Sequence, residues 1–420
     1  IGDDSMKQVY TSIDIGSDSV KIVVAELFNN KINLLAASSI KSNGIKKGLI
    51  TDAEKASESI KKAITSVEEM LGIKIKKVIT SIPSYYTEFE MIKGSIELEK
   101  EVPIDGDKVS ELLTEAIKTS KINDKVMVTT LPIDFMVDEK SNIKDPKDMI
   151  GNTFATRAIM VHTAKKNLLS VIKILESLDL EVVDVSLNSI GDMYAVRDKE
   201  IKEKIGALIN IGHETTTVSL YNKGIIVKSS VIGMGGRNID RDISYIYKVN
   251  EKDASKIKEK FALAHKKYAS VNDYYEIKNE AGEQIQINQF EVSEVVMARL
   301  EEILVTARKE INMLTKHDVD YILITGGTSS MANFDLIAKE VLGNETKIGE
   351  IKLVGLRHNK YSSAIGNIVY FISKLKLKGK NYSMISKDDS QILSTSKKSL
   401  ISENSMLGKV FGCFFDDKED

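Results

Sequence analysis

The chain has 420 residues, 42% hydrophobic and 29% charged, with a formal net charge of −2. That length calls for roughly two to four domains or subdomains with sizeable cores. The small net charge excludes the basic footprint of a nucleic-acid binder, and a single cysteine, Cys413, excludes a disulfide framework and fits a reducing cytoplasm. The five histidines (His162, His213, His265, His317 and His358) have no metal-ligand spacing, no run reaches transmembrane length, and no signal peptide opens the chain. The residues before Met6 read as a cloning remnant.

In chain order, residues 9–26 (VYTSIDIGSDSVKIVVAE) read as a strand, a tight turn and a second strand, because β-branched residues flank Asp14-Ile15-Gly16-Ser17-Asp18-Ser19. Such a turn is suited to phosphate. Gly16 admits a ligand close to the backbone, while turn N–H groups and the hydroxyls of Ser17 and Ser19 can converge on oxygens. Asp14 can hold a hydrated Mg2+, and Lys21 can reach back as a point charge. The plain alternative is an ordinary hairpin with a polar tip. A third strand over 31–40, a helix from a cap at Asp52 to about Leu71, and a strand over 77–82 follow.

From 84 to about 163 the character changes. Extended segments over 88–97, 126–138 and 155–163 surround one helix at about 107–120, which reads as an α+β insert interrupting the first domain. The spacing then predicts a helix over 165–178, a strand over 181–187 and a helix over 188–197.

The opening motif then recurs. INIGHETTTVSL (209–220) aligns with IDIGSDSVKIVV (13–24), setting Asn210 on Asp14, Gly212 on Gly16, Glu214 on Asp18 and Thr215 on Ser19, with His213 and Thr216 beside them. Two phosphate hairpins half a chain apart predict two similar domains facing each other across one nucleotide. After a strand over 224–232, Gly235, Gly236 and Arg237 open a helix whose N–H groups could meet a phosphate. A helix over 252–264 brings Lys258 near the cleft, either on ribose or adenine or simply solvated. Strands around Gly282 precede a long helix over 292–314. The strand 319–325 runs into Gly326, Gly327 and Thr328, a place for adenine or an α-phosphate against backbone, and a closing helix spans 361–372.

Residues 374–404 are rich in Ser, Lys and Asp and read as a flexible linker. Met406, Leu407, Val410, Phe411, Phe414 and Phe415 then recur every fourth residue, one face of a helix too short to cross a bilayer but suited to lie in its interface. Their burial offers on the order of 10 kcal/mol before ordering costs. The alternative is a helix that docks on protein.

This order resembles the actin/Hsp70/sugar-kinase ATPase superfamily through residues 14–21, 209–217 and 324–330. Within it the chain resembles the FtsA family of bacterial cell-division proteins. That resemblance rests on the insert ending in IKDPKDMIGNTFATRAIMVHTA, on GMGGRNIDRDIS (233–244), on the helix VSEVVMARLEEILVTARKEI and on the tail, and it covers nearly the whole chain from Met6. It implies an α/β, actin-like two-domain ATPase fold with a relocated α+β insert subdomain and a flexible C-terminal tail ending in an amphipathic helix. The first domain would comprise 6–83 and 164–200 around the insert 84–163. The second would comprise 201–235 and 319–375 around a subdomain 236–318, followed by a linker 376–404 and the membrane-targeting end 405–420. ATP and Mg2+ are the implied cofactors. The implied partners are the C-terminal peptide of the tubulin-like division protein FtsZ, further copies of this chain in protofilaments, cytoplasmic membrane lipid and other division proteins. The implied location is the cytoplasmic face of the membrane at the division site. Arg299 and Glu302 are candidate contacts for the FtsZ peptide, or a solvated surface pair.

Two positions depart from the family pattern. Asn210 stands where an acid is usual, and Ser255 stands where a nucleotide-contacting Glu is common, three before Lys258. A neutral amide adds no charge to a metal site and cannot act as a base, so nucleotide binding should outlast hydrolysis. A pilus-assembly protein of the same superfamily and a sugar or acetate kinase are the competing readings. An Hsp70-type chaperone would need a further β-sandwich.

Overall fold

The computed structural model describes residues 7–400, apart from 100, 123 and 199. The first domain opens with β1 (Gln8–Ile15), β2 (Ser19–Phe28) and β3 (Lys31–Lys41), followed by the short pair β4 (Ile45–Lys46) and β5 (Leu49–Ile50), helix α1 (Ala53–Leu71) and β6 (Lys77–Ile82). Asp52 caps α1 by accepting the Lys55 N–H, and Gly72 closes it in the left-handed region. The insert follows as β7 (Glu88–Glu97), α2 (Gly106–Lys118), β8 (Val126–Val137), β9 (Lys140–Ile143) and β10 (Thr153–Thr163). Then come α3 (Lys165–Glu176), β11 (Glu181–Leu187) and α4 (Asn188–Val196).

The second domain runs through β12 (Ile205–Ile211), β13 (Thr216–Asn222), β14 (Ile225–Ile232), α5 (Gly236–Tyr247), α6 (Glu251–Lys260), β15 (Tyr274–Lys278), β16 (Gln284–Asn288), α7 (Gln289–Leu314), β17 (Tyr321–Thr325), α8 (Phe334–Leu342) and β18 (Thr346–Ile348). Helix α9 (Ser362–Leu377), expected within the second domain, packs instead on the first domain's sheet, with Ala364, Ile365, Ile368, Phe371 and Ile372 against Tyr10, Val23, Ala25 and Ile79. Helix α10 (Lys387–Leu400) closes the described chain.

The repeat legible in the two hairpins extends to the topology. One sheet has the order β11-β6-β1-β2-β3, the other β18-β17-β12-β13-β14. In each, an antiparallel hairpin and a third antiparallel strand sit beside two parallel strands. The inner strands are nearly continuous runs of buried residues, as strands covered on both faces must be. The insert is a separate four-stranded sheet, β7-β10-β8-β9, with Val109, Leu112 and Leu113 of α2 packed on it through Phe135 and Phe154.

The domains are joined where α4 crosses α9. A Cβ on Gly366 would lie 1.7 Å from the carbonyl oxygen of Gly191, and one on Gly191 would lie 2.4 Å from Asn367 Oδ1. The two backbones therefore touch with no side chain between them.

Two further sequence expectations are corrected. The helix expected over 252–264 ends at Lys260, since Phe261 caps it and Ala264 turns its N–H to the Ala332 carbonyl. The flexible linker expected over 374–404 is replaced, as far as residue 400, by the end of α9, a packed stretch and helix α10. Helix α9 runs to Leu377, and the next stretch packs on the first domain: Met384 is buried, its N–H bonds the Val9 carbonyl at 2.8 Å, and its sulfur accepts the Thr11 N–H. Single anchors such as Tyr382 and Met384 leave no periodic stripe, which is why composition alone read as linker.

Candidate functional site

The two hairpin turns close in the same way. Gly16 N–H donates to the Ser19 carbonyl at 3.2 Å, and Gly212 N–H donates to the Thr215 carbonyl at 2.9 Å. The N–H groups of residues 17, 18, 213 and 214 are left with no acceptor among the described residues. Both turns line one cleft of about 460 Å3 between the domains. Unpaired N–H groups in a concave turn form an anion-binding nest.

From the first domain the cleft is lined by Asp14, Gly16, Ser17, Asp18, Ser19 and Lys21. Lys21 Nζ lies 3.0 Å from Asp14 Oδ2 and also donates to the Ser19 carbonyl at 3.2 Å, so the lysine arches over the turn. Burial pushes Asp18 up, but the Lys41 ion pair at 3.0 Å, with the charge of Lys21 behind it, prevails and holds it below the usual range. From the second domain come Asn210, Gly212, His213 and Thr215. Burial pushes the His213 imidazole down to about 4, against the pull of Asp18. It is neutral at pH 7.

The third turn contributes Gly326, Gly327 and Thr328. Gly326 has φ +93, and a Cβ there would lie 2.4 Å from Asn210 Oδ1 and 2.5 Å from the Ile211 carbonyl, so only glycine lets β17 end against β12. Thr328 Oγ1 donates to the Gly212 carbonyl at 3.1 Å and ties this turn to the second hairpin. Lys258 also lines the cleft but is not free: its Nζ pairs with buried Asp240 Oδ1 at 2.7 Å. Burial raises the Asp240 carboxyl, with Lys258 opposing.

Several expected residues do other work. The α5 N-terminus does not present its N–H groups to the cleft. Gly236 N–H bonds the Gly212 carbonyl at 2.9 Å, Arg237 N–H bonds the His213 carbonyl at 2.7 Å, and Gly235 N–H bonds Asn238 Oδ1 at 3.0 Å. These groups brace the second turn from behind. Thr216 is buried, donating to the Met234 carbonyl at 2.9 Å. Ser255 stands off the cleft, its Oγ 3.4 Å from Glu259, and on that helix Glu259 is the acid that lines it. Arg299 and Glu302 pair on α7, away from the cleft, and Arg299 also binds Asp242 of α5 through Nε at 2.6 Å and Nη2 at 2.9 Å. Met406, Leu407, Val410, Phe411, Phe414 and Phe415 lie outside the described residues.

Sequence reasoning missed Asn188, Glu259, His358, Lys360 and Ser363, all on the cleft wall. It also missed Asp192, 1% exposed on α4, which accepts hydrogen bonds from Asn210 Nδ2 at 2.6 Å, Ser362 Oγ at 2.5 Å and Ser363 Oγ at 2.8 Å. Burial pushes its carboxyl up to about 6, against those three donors. An acid inside an otherwise apolar helix, SIGDMYAV, was the available signal.

The cleft fits a polyanion with a flat base. It offers nests from both domains, Lys21 and several hydroxyls, and its volume is typical of small-molecule sites. No group of three His, Cys, Asp or Glu suited to a metal occurs among the described residues.

Two family models match the chain: "Cell division protein FtsA" over residues 207–366 and "SHS2 domain inserted in FTSA" over residues 58–162. The cell division protein FtsA of Bacillus subtilis is 27% identical across 89% of this chain and 86% of its own length. Among solved structures, the fold is similar to that of the PilM-PilN type IV pilus biogenesis complex (TM-score 0.57, 13% identity, 86% of this chain and 98% of that one). It is also similar to MreB5 of Spiroplasma citri bound to ADP (TM-score 0.53, 13% identity, 88% and 98%). The architecture is thus the actin-like ATPase fold with an SHS2 insert. With both the insert and the second domain matched to models of one family, and its relatives aligned along most of their length, this chain belongs to the FtsA family of cell-division proteins.

Proposed function

We propose that this chain binds ATP with Mg2+ in the interdomain cleft, assembles with copies of itself, and tethers FtsZ filaments to the cytoplasmic face of the membrane at the division site. The observation that carries the nucleotide reading is the pair of equivalent turns, Gly16–Ser19 and Gly212–Thr215, with unpaired N–H groups on opposite walls of one cleft. Bound ATP supplies a polyanion that both domains can hold at once. Ser17, Ser19, Thr215 and the free turn N–H groups take its phosphates, Lys21 adds charge, and Asp14 orients water on the metal. Gly326, Gly327, Thr328 and Lys258 border the nucleoside end. Asn210 offers neither charge nor a base, so binding serves closure and assembly more than hydrolysis.

In this reading the insert contacts the next subunit. The FtsZ peptide docks on the subdomain between residues 237 and 316, with Arg299 and Glu302 on its exposed face. Residues 405–415 anchor the assembly in the interface of the bilayer. No helix among the described residues is long and apolar enough to cross a membrane.

Co-sedimentation with lipid vesicles tests the reading, using the full chain against one ended at Asn404, each with and without ATP–Mg2+. The full chain should pellet, the shortened one should stay in solution, and ATP should increase pelleting through avidity. Two soluble chains would overturn the anchor, and a full chain indifferent to ATP would count against nucleotide-driven assembly.

A further inference from the structure

The two hairpins differ at one functional point. In the first, the acid Asp14 lies directly across the strand pair from Lys21 and is neutralised by it. In the second, Asn210 lies across from Thr217, so no cation faces that position. A carboxylate does face it: Asp192, buried on α4, 2.6 Å from Asn210 Nδ2. The other donors to Asp192, Ser362 and Ser363, come from the start of α9, and Ser363 lines the cleft. One carboxylate thus joins α4, α9 and the end of β12 at the crossing of the two domains.

Asparagine has one donor end and one acceptor end. Its donor end is taken by Asp192. Its acceptor end, Oδ1, points to the Gly326 backbone, and the residue lines the cleft. A carboxylate at 210 would instead set two negative charges at hydrogen-bond distance in a buried site, which one shared proton could relieve only at lower pH.

We infer that Asp192 is the positioning residue for Asn210: it holds the amide in one orientation, so that the carbonyl oxygen serves as a fixed, uncharged acceptor where the second hairpin meets the Gly326 turn on the cleft wall. The amide found where an acid is usual is then the partner that a relocated carboxylate requires. Titratable groups that feel Asp192 are Asp14 from β1, itself paired with Lys21, and Tyr221 from β13. The facing side chains from β12 and α9 are the uncharged Asn210, Ser362 and Ser363. The inference rests on the nucleotide reading for its ligand but not for the pairing itself.

The test exchanges the two groups in the full-length chain: D192N, N210D and D192N/N210D beside the wild type. Thermal unfolding without nucleotide is followed from pH 5.5 to 8, and ATP–Mg2+ binding is titrated at pH 8. N210D should lower the unfolding midpoint at pH 8, and this loss should shrink toward pH 5.5 as the carboxylate pair takes up a proton. The double variant, with amide and carboxylate exchanged, should recover most of the midpoint. ATP affinity should fall about tenfold in N210D, the order of one charged hydrogen bond, and return in the double variant. Losses that simply add in the double variant, or an N210D loss independent of pH, would overturn the inference. A wild-type chain that binds no ATP would sink the nucleotide reading and the ligand half of this inference, and the unfolding cycle would still decide the pairing.

Discussion

The Lys47 backbone N–H donates to the Glu214 carboxylate at 2.6 Å, and this bond spans the cleft. Lys47 sits between β4 and β5 of the first domain, where the next N–H, of Gly48, bonds Ser17 Oγ at 2.7 Å. Glu214 sits in the second phosphate turn and is also held by Arg237 at 2.6 Å. Each turn is therefore tied to the same short loop.

Replacing Glu214 with alanine should loosen this tie. Its side chain is mostly buried, so losing the charged hydrogen bonds should cost about 1–3 kcal/mol of stability. Hydrogen exchange of residues 44–50 should rise together with that of the second turn. Unchanged exchange in both segments would show that the domains are held elsewhere.

His213 makes the fold sensitive to acid. Burial holds it at about 4 against an ordinary 6.5, so the unfolded chain takes up a proton first as pH falls. Its contribution is fully present above pH 6.5 and is lost as pH falls toward 4. Between pH 7 and 5 this amounts to about 1–2 kcal/mol. Urea unfolding of wild type and H213N should show a shallower loss in the variant. Bound ATP, a polyanion, should raise the imidazole pKa, which an NMR titration would read.

Gly366→Ala should be among the most damaging single-methyl changes in the chain. Its Cβ would fall 1.7 Å from the Gly191 carbonyl oxygen, so α4 and α9 must separate. A loss on the order of 4 kcal/mol or more, or failure to accumulate as soluble protein, is expected. Gly282→Ala has open space around it and φ +82, so strain alone should cost about 1–2 kcal/mol. Equal melting temperatures for the two variants would refute the tight crossing.

Arg299 has two separable roles. Its fork on Asp242 ties α7 to α5, and R299A should cost about 1–3 kcal/mol through that loss. The exchanged pair D242R/R299D should recover part of the stability. If Arg299 also meets the FtsZ peptide, binding measured by fluorescence anisotropy should stay weak in the exchanged pair. Recovery of both would assign the residue to structure alone.

Much of this was legible in the sequence. The repeated hairpin marked the first two strands of both sheets and placed ten of the expected cleft residues on one wall or the other, and the third glycine turn and Lys258 added four more. The capping residue Asp52 marked the start of α1 correctly because its effect is local. What stayed hidden depends on distant partners. The glycine pair at 235–236 reads as a phosphate loop until the Gly212 and His213 carbonyls are seen to accept its N–H groups. Asp192 acquires meaning only once β12 brings Asn210 against α4. The start of α10 was readable: Ser386 and Asp389 form a reciprocal cap, with Ser386 Oγ accepting the Asp389 N–H at 3.1 Å, but the polar composition around it masked the signal.

The stretch after α9 also sets a route for force. Ser383 and Met384 are bonded to Val9 and Thr11 along the opening half of β1, before β6 begins to pair with that strand at Ser12. A pull applied to the chain beyond residue 400 therefore enters the molecule as shear on β1, the central strand of its sheet. That strand ends at Asp14 and the Gly16 turn, so tension on the tail and occupancy of the cleft act on opposite ends of one rigid rod.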